Sequence, residues 1–224
     1  MATLLLRLAA PLQAWGGSSK FEVRKTESYP TKSGVIGMIA AALGRRRDES
    51  LDDLNSLRFG VRVDQGGKLL RDFHMVHSAK SSYLTTRYYL ADAVFVVALE
   101  SDDAAFLAML ENALKNPVFP LFLGRRSCPP TLPLVLGLRE SGLIYALREE
   151  PWQVTKWRRG NLNSKLRIVA DCLPEDESAA FQLDVPLSFH PECREYGYRI
   201  LKEYDYVDKC ETSNVTEHDP MKEL

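Results

Sequence analysis

The chain has 224 residues, which suits one domain with or without an appendage, and its 29 basic and 30 acidic side chains nearly cancel. It lacks an apolar run of roughly 18–20 residues, and Arg7 interrupts its apolar N-terminus, so we expect neither a membrane span nor a signal peptide. The net charge of −1 hides a strong segregation, which says more about partners than the total. The segment charges are +6 for 1–47, −4 for 48–57, +4 for 58–91, −5 for 92–112, +7 for 113–170 and −9 for 171–224.

The motifs give no reason to expect a cofactor or a metal. A Walker loop, a nucleophile elbow and a dinucleotide fingerprint are all absent. His74 and His77 are three residues apart, and on a strand such residues face opposite sides, so they do not suit one metal ion. The four cysteines lack CxxC spacing, which predicts reduced thiols in a cytoplasmic protein. They are Cys128, Cys172, Cys193 and Cys210.

The first predicted elements are a strand and a helix. Residues 3–9 form a short apolar run, which predicts a buried strand. Residues 34–43 are apolar almost all round, which predicts a buried helix. Thr31 or Ser33 can cap this helix, and Gly44 stands where a left-handed C-terminal residue is expected.

The chain then continues into a second strand and an unusual insertion. Residues 51–57 predict one short helical turn, and 58–64 alternate like a strand. Gln65-Gly66-Gly67 resembles a hairpin turn. Residues 68–90 alternate only loosely and are rich in basic, hydroxyl and aromatic side chains.

Three more elements follow the insertion. Residues 92–99 give the clearest strand pattern in the chain. Ser101 is the predicted cap of a helix over 102–116, which has acidic residues in its first turn. Residues 133–138 predict another strand.

The order β-α-β, insertion, β-α-β indicates an α+β fold of the ferredoxin-like (RRM-like) type. Its sheet would carry two helices on one face and leave the other face open for binding. We predict such a domain over 1–140, with 65–91 as an inserted β-hairpin, followed by a β-rich C-terminal extension over 141–206 and a flexible acidic tail over 207–224. The short strands expected in the extension are 143–148, 152–158, 166–171, 182–189 and 198–206.

Basic side chains cluster in loops, near glycines and at the start of the first helix. A helix N-terminus with a hydroxyl cap and a nearby lysine, such as Thr31 with Lys32, is a ready phosphate site. Glycine lets the backbone approach a phosphate, and adjacent arginines supply charge-assisted hydrogen bonds, as in the loop that begins at Gly124. We interpret the pattern as a path for a nucleic-acid backbone, with ordinary solvated loops as the alternative. The remaining members are Lys20, Arg24, Lys25, Arg125, Arg126, and Lys156, Arg158 and Arg159 around Trp157.

The predicted hairpin combines basic and aromatic side chains. On an exposed ribbon these suit base stacking and phosphate contact. The alternative is that the aromatics are present because they favour strands. The residues concerned are Arg71, His74, His77, Lys80, Tyr83, Arg87, Tyr88 and Tyr89.

A second hypothesis is metal-free RNA cleavage. A histidine with a lysine or tyrosine can act as general acid and base on a ribose 2′-hydroxyl. His74, His77, Lys80 and Tyr29 are the available groups, but the sequence does not show that they meet. Lone histidines in strands are more often structural.

Three motifs stand in order along the chain: LLLRLAAPLQAWG at 4–16, YPTKSGVIGMIAAALG at 29–44 and LGRRSCPP at 123–130. In this order they resemble the CasD family, the fifth Cas protein family of the RAMP superfamily, which supplies a subunit of the CRISPR Cascade complex. The segments 71–77 and 86–95 also resemble its thumb hairpin and the strand that follows. The resemblance covers roughly residues 1–140.

This resemblance implies a RAMP domain with a protruding thumb that binds the 5′ handle of a crRNA at one end of the surveillance complex. The expected neighbours are the repeated backbone subunit and the large subunit that recognises the PAM, with target DNA reached through the complex. A separate subunit usually cuts the precursor RNA, which implies a non-catalytic chain. Relatives in another CRISPR subtype do cut, with a Tyr, a Lys and a His, so a metal-independent endoribonuclease that processes precursor crRNA remains the alternative.

The resemblance also assigns residues to RNA contact. The thumb tip would reach toward the backbone subunit and the first guide bases, while the start of the first helix and the glycine-rich loop face the handle. Trp15 is expected beside the same groove, with a core position as its alternative. Lys20, Arg24, Lys25, Arg71 and Arg87 join this set from the clustering of basic side chains described above. The full expected set is Trp15, Gly16, Lys20, Arg24, Lys25, Thr31, Lys32, Ser33, Arg71, Lys80, Tyr83, Arg87, Gly124, Arg125, Arg126 and Ser127.

Overall fold

A computed structural model describes residues 1–17, 22–77, 81–160 and 162–208. The chain forms a mixed α/β fold in which antiparallel strands dominate. The strands are β1 Ala2–Ala9, β2 Leu12–Gln13, β3 Val23–Arg24, β4 Arg58–Gln65, β5 Lys68–His77, β6 Ser82–Ala91, β7 Val94–Ser101, β8 Val135–Arg139, β9 Lys165–Asp171, β10 Ala180–Phe189 and β11 Arg194–Asp208. The helices are α1 Lys32–Ala42, α2 Asp52–Asn55, α3 Ala104–Lys115, α4 Leu143–Glu149 and α5 Lys156–Arg159.

The main sheet has seven strands in the order β10-β11-β9-β4-β7-β1-β8. Every neighbouring pair in it is antiparallel. The strands predicted over 3–9, 58–64, 92–99 and 133–138 are confirmed as β1, β4, β7 and β8. They are neighbours in the sheet, in the order β4-β7-β1-β8.

A smaller sheet carries the inserted hairpin, which we call the thumb (β5 and β6). The two strands pair antiparallel from Lys68 opposite Ala91 to His77 opposite Ser82. The short strands β2 and β3 flank β6, so the base of the thumb is tied to the N-terminal segment. The inserted hairpin is therefore confirmed.

The turn at Gln65-Gly66-Gly67 does not close a hairpin, so that prediction is wrong. The strand before it belongs to the main sheet and the strand after it to the thumb sheet. Gly67 has φ +74°, and a Cβ there would lie 2.7 Å from the Ala91 carbonyl oxygen. The glycine is needed because the chain crosses between two sheets in tight contact.

The main sheet is covered on both faces, which contradicts the expected open face. Leu4, Leu6 and Leu8 of β1 point into the larger core, which α1 and α3 cover. The intervening Leu5 points the other way, into a second core that α4 covers. Alternation along the strand places its apolar side chains in both cores.

Helix α4 replaces the strand predicted over 143–148. Leu143, Ala146 and Leu147 are buried at positions i, i+3 and i+4, which is helical spacing. Buried Arg62 stabilises the C-terminal end of the helix, since it donates to the carbonyls of Leu147 and Glu150 at 2.6 and 2.5 Å.

The segment predicted as a strand over 152–158 is a loop followed by the short helix α5, so that prediction is also wrong. The Arg62–Asp64 ion pair, fully buried at 2.6 Å, secures this loop. Asp64 accepts from the Gln153 backbone N–H at 2.7 Å and its carbonyl accepts from Trp152 Nε1 at 3.0 Å. The first of these bonds uses a backbone N–H that a strand would have paired, and the second fixes the indole of Trp152.

The strands predicted over 166–171, 182–189 and 198–206 are confirmed as β9, β10 and β11. They extend the main sheet beyond β4. Of the predicted acidic tail, residues 207–208 end β11, and 209–224 lie outside the described residues. Within the described part of the chain, no helix is long and apolar enough to cross a bilayer.

The predicted N-terminal cap is confirmed for α1 and wrong for α3. Thr31 caps α1, with its Oγ1 accepting from the Gly34 backbone N–H at 3.3 Å, and Gly44 has φ +77°. Helix α3 is capped by Asp103, which accepts from the Phe106 N–H at 2.9 Å. Ser101 was the predicted cap, but its Oγ bonds the Asp103 N–H before the helix begins.

Candidate nucleic-acid interface

Three arginines from distant parts of the sequence meet at one face of the thumb. Arg24 of β3 lies opposite Arg87 of β6 in a parallel pairing. Tyr89 lies two residues after Arg87, on the same face of the strand. The guanidinium of Arg125 stacks on the Tyr89 ring at 4.5 Å and donates to the Arg24 carbonyl at 3.1 Å. We call Arg24, Arg87, Tyr89 and Arg125 the arginine cluster.

Gly124 positions the loop that carries Arg125. It has φ +81°, and a Cβ there would lie 1.6 Å from the Ala14 carbonyl oxygen, so no other residue fits. The Ala14 N–H donates to the Leu123 carbonyl at 3.2 Å and joins the two segments. The sequence predicted close approach to a phosphate at this glycine, whereas its close neighbour is protein backbone.

Two guanidinium N–H groups of the cluster are buried and uncommitted. Arg87 Nε and Arg125 Nη1 have no hydrogen-bond partner among the residues the structure describes. A buried donor without an acceptor is costly, and a charged donor especially so. An anionic oxygen at this face would satisfy both groups.

The arginines also perturb Tyr89. Burial alone would raise the pKa of its hydroxyl, but hydrogen bonding to Arg125 and Ser127 together with the charge of Arg125 outweighs burial, so the pKa is lowered. The groups that lower this pKa, Arg125 above all, are also ones that can stabilise a negative ligand oxygen beside Tyr89. Tyr88 and Tyr89 were predicted alike, and the two-residue period of a strand that contains Arg87 is the signal that distinguishes Tyr89.

Exposed predicted residues surround the cluster. Gly16, Lys25, Arg126 and Ser127 are exposed, and the Ser127 side chain reaches Tyr89. Open space lies where a Cβ on Gly16 would stand. Lys20, also predicted here, lies outside the described residues.

Lys32 does not belong to this surface, so the geometry does not support its predicted RNA contact. Its side chain is buried, and its Nζ donates to the carbonyls of Asn55 and Leu57 at 3.1 and 2.7 Å. Asp171 lies 3.7 Å from the same Nζ. Burial lowers the pKa of this ammonium, partly offset by Asp171. The lysine is a structural cation.

The N-terminus of α1 is already occupied by a carboxylate of the protein. Asp184 Oδ2 accepts from the Lys32 backbone N–H at 2.9 Å, in the place expected for a phosphate. Thr31 is buried and engaged as the cap, and Ser33 Oγ donates to Thr31 Oγ1 at 3.4 Å. The predicted RNA contacts of Thr31 and Ser33 are therefore not supported by this geometry.

Trp15 belongs to the core, which was the alternative given for it. Its side chain is only 1% exposed and donates through Nε1 to Gln13 Oε1 at 3.2 Å. A Cβ on Gly34 would lie 2.8 Å from the indole, so the ring packs tightly against the start of α1. Trp15 positions the neighbouring Gly16 but cannot itself stack on a base.

The thumb has two unlike faces. One continues the arginine cluster along β6, and Tyr83 lies on it near the tip, half exposed. The other carries Arg71, stacked on Phe73 at 4.6 Å, among exposed apolar side chains. Lys80, predicted at the tip, lies outside the described residues. The apolar members of the second face are Leu69, Phe73, Met75 and Leu84.

Of the groups proposed for RNA cleavage, the three that the structure describes do not come together in one site. Tyr29 donates from its hydroxyl to Gln182 of β10 at 2.9 Å, at the far end of the main sheet. His74 pairs with Asp72 at 2.5 Å and His77 with Ser82 at 2.7 Å, both within the thumb. Among the described residues there is also no cluster of three metal-ligating side chains.

Comparison with known proteins agrees with this architecture. CasD, a subunit of the CRISPR Cascade system of Escherichia coli (strain K12), is 41% identical over 156 residues, which cover 60% of this chain and 70% of CasD. A chain of a solved CRISPR RNA-guided surveillance complex has 35% identity and a TM-score of 0.77, over 92% of this chain and 91% of that one. A crystal structure of a Cas protein has 40% identity and a TM-score of 0.70, over 92% and 95%.

The similarity also extends beyond the part of the sequence where the resemblance was seen. A family model described as "CRISPR-associated protein (Cas_Cas5)" matches residues 3–202, well past residue 140. Because this match spans most of the chain, the protein belongs to the CRISPR-associated Cas5 family.

Proposed function

We propose that this chain is the RNA-binding subunit of a CRISPR Cascade surveillance complex, where it binds the 5′ handle of the crRNA and helps assemble the complex for targeting DNA. The observation that carries the proposal is the arginine cluster, with two buried guanidinium N–H groups that lack acceptors among the described residues. Its relatives CasD and the surveillance-complex chain point to the same role.

The chemistry of the cluster suits a single-stranded RNA backbone. Guanidinium groups bind phosphate oxygens through charge-assisted hydrogen bonds. The exposed Lys25, Arg126 and Ser127 supply further donors beside Arg87 and Arg125. Unpaired RNA ends present both phosphates and splayed bases to such a surface.

We infer that the core is a ferredoxin-like RAMP domain. What supports this is the strand order β8-β1-β7-β4, with every neighbour antiparallel. Helices α1 and α3 pack together in the core on one face of these strands. The order of elements along the chain, β-α-β-β-α-β, is the one this arrangement requires.

The proposal also includes the neighbours of the chain. The apolar face of the thumb, with Phe73 and Met75, suits contact with the repeated backbone subunit, since exposed apolar patches mark protein interfaces. The large PAM-recognising subunit and, through the complex, target DNA complete the set. We also infer a cytoplasmic location, in keeping with free thiols at Cys128, Cys172 and Cys193.

The test removes two positive charges from the proposed RNA surface. Arg125→Ala with Arg126→Ala is expected to weaken binding of crRNA repeat RNA roughly 10- to 100-fold, the value of one or two lost charge-assisted bonds. The slope of log K against log salt should become shallower by about 1.4. Both are measured by titrating the full chain with labelled RNA at several salt concentrations.

A matched control uses another adjacent arginine pair. Arg46 and Arg47 are exposed in the connection between α1 and α2. Arg46→Ala with Arg47→Ala removes the same charge from the chain and should leave both affinity and slope nearly unchanged. Equal losses in the two double variants would mean that the arginine cluster has no special role.

A further inference from the structure

A second basic groove lies at the base of the thumb, outside the arginine cluster. It is a cavity of about 240 Å³ lined by Arg7, Gln65, Val94, Trp157 and Arg158. A second cavity of about 220 Å³ shares Val94 and Arg158 with it. We call these two neighbouring cavities the Trp157 groove.

Arg7 supplies a partly desolvated cation to the groove. It is the one charged residue of β1, in a strand otherwise built of buried apolar and small side chains. Its guanidinium donates to Thr131 Oγ1 at 3.4 Å. Burial lowers its pKa despite the charge of Asp64, so its charge is only partly compensated. An anion in the groove would stabilise it.

Trp157 supplies an exposed aromatic surface. It is 73% exposed, whereas Trp15 and Trp152 are buried. The Arg158 guanidinium lies 5.0 Å from the indole centroid and 3.5 Å from Asp92. An exposed indole beside arginines is costly for a free surface and is the combination with which proteins bind unpaired bases.

Gln65 adds an acceptor with no donor. Its Oε1 is buried and has no hydrogen-bond partner among the described residues, while its Nε2 donates to the Asp92 carbonyl. A buried acceptor of this kind is satisfied by an N–H or O–H of a ligand. Exocyclic amines and ribose hydroxyls are such donors.

We propose that the Trp157 groove binds one unpaired nucleotide, with the base stacked on Trp157 and its phosphate held by Arg7 and Arg158. This inference rests on the proposed RNA-binding function and adds a second contact to it. Asp92, which lines the groove, comes three residues after Tyr89 of the arginine cluster, and three residues of chain span at most about 10 Å. One nucleic-acid strand can therefore reach both places.

The experiment titrates the full chain with single-stranded CRISPR repeat RNA of the source organism. Stacking should quench the fluorescence of Trp157, the exposed tryptophan. Trp157→Ala should abolish the quenching and weaken binding about 5- to 100-fold, the usual value of one base stack. Trp157→Phe should retain most of the affinity, since a phenyl ring also stacks.

Two further variants sharpen the test. Phe181→Ala removes an aromatic side chain that is also 73% exposed but lies on β10, and it should bind RNA like the wild type. Arg158→Gln should reduce the salt slope by about 0.7, as expected for one phosphate contact to a single strand. An unchanged slope in this variant would overturn the phosphate contact.

A parallel titration with single-stranded DNA of the same sequence identifies the source of the nucleotide. A Trp157→Ala defect confined to RNA supports a crRNA nucleotide, and one confined to DNA supports a nucleotide of the target. Wild-type affinity of Trp157→Ala for both overturns the inference. If that variant instead fails only to co-purify with other subunits, the groove is a protein contact and the inference is also overturned.

The failure of the proposed function has a different signature. If the wild-type chain and the Arg125, Arg126 double variant bind repeat RNA equally poorly, the RNA-binding function itself fails. If the double variant is weakened while Trp157→Ala is not, the function stands and only the Trp157 groove is overturned.

Discussion

Lys32 and Arg125 show how little a residue's type says about its role. Both are basic residues within two positions of a glycine, and both were predicted to contact RNA. Lys32 has its donors filled by two backbone carbonyls and its charge faced by Asp171. Arg125 keeps a buried N–H without a partner among the described residues. The difference lies in what each donor already binds.

Lys32→Met should therefore separate stability from binding. It leaves the carbonyls of Asn55 and Leu57 without their donor, so the free energy of unfolding should fall by about 1–3 kcal/mol. RNA affinity measured well below the unfolding temperature should stay within about twofold. Chemical denaturation gives the first quantity and RNA titration the second.

Lys25 differs from Lys32 in being exposed. Lys25→Met is a surface substitution and should change the free energy of unfolding by no more than about 1 kcal/mol. Its RNA affinity should fall and its salt slope should become shallower. If Lys32→Met lost RNA affinity while Lys25→Met kept it, the assignment of the RNA surface to the thumb side would be wrong.

The sequence predicts many of the residues on the proposed RNA surface, but it does not show which predicted residues lie outside that surface. Arg24, Arg87 and Arg125 could be predicted from charge segregation and from the motifs. The exclusion of Lys32 could not, because Asp184, which occupies the helix N-terminus, comes 152 residues later in the chain. When a residue is buried by partners that are distant in sequence, the residues around it do not indicate that burial.

Secondary-structure elements also differ in how well their sequence predicts them. Strands with strict alternation or continuous apolar character were predicted with correct type and position. Helix α4 was predicted as a strand because seven residues are too few for a period to be distinguished. Its helical form is decided by Arg62, which satisfies the carbonyls at its end, and by the sheet face it covers.

The apolar face of the thumb contributes little to the stability of the isolated chain, because its side chains are largely exposed. Phe73 and Met75 are 51% and 56% exposed. Phe73→Thr with Met75→Thr keeps strand propensity and should cost at most about 1 kcal/mol of stability. Because apolar anchors dominate protein interfaces, we expect assembly with a tagged backbone subunit and crRNA to weaken about 5- to 30-fold.

The control for this variant is Leu132→Thr, in the connection before β8. Leu132 is 85% exposed and belongs to neither strand of the thumb, and its substitution should leave co-purification of the complex unchanged. Intact assembly in the thumb variant would show that this face meets solvent rather than a neighbouring subunit.

At the scale of the whole molecule, the C-terminal strands are joined to the rest by buried charge. Arg199 of β11 donates to Asp184 of β10 and to Asp171 of β9, each at 2.6 Å. Asp184 also accepts from the backbone of Lys32, and Asp171 from the Phe59 N–H at 2.9 Å. The network links residues on both sides of position 140, where the sequence suggested a boundary.

Asp184→Asn tests whether these parts unfold as one unit. The amide keeps the shape but leaves buried Arg199 with one carboxylate fewer, so the free energy of unfolding should fall by about 3 kcal/mol. The loss should appear in a single cooperative transition, seen alike by tryptophan fluorescence and far-ultraviolet circular dichroism. Glu192→Gln, an exposed change in the turn before β11, should leave the transition in place. Two separate transitions in Asp184→Asn, with the earlier one confined to the C-terminal strands, would instead establish residues 1–140 as an independent domain.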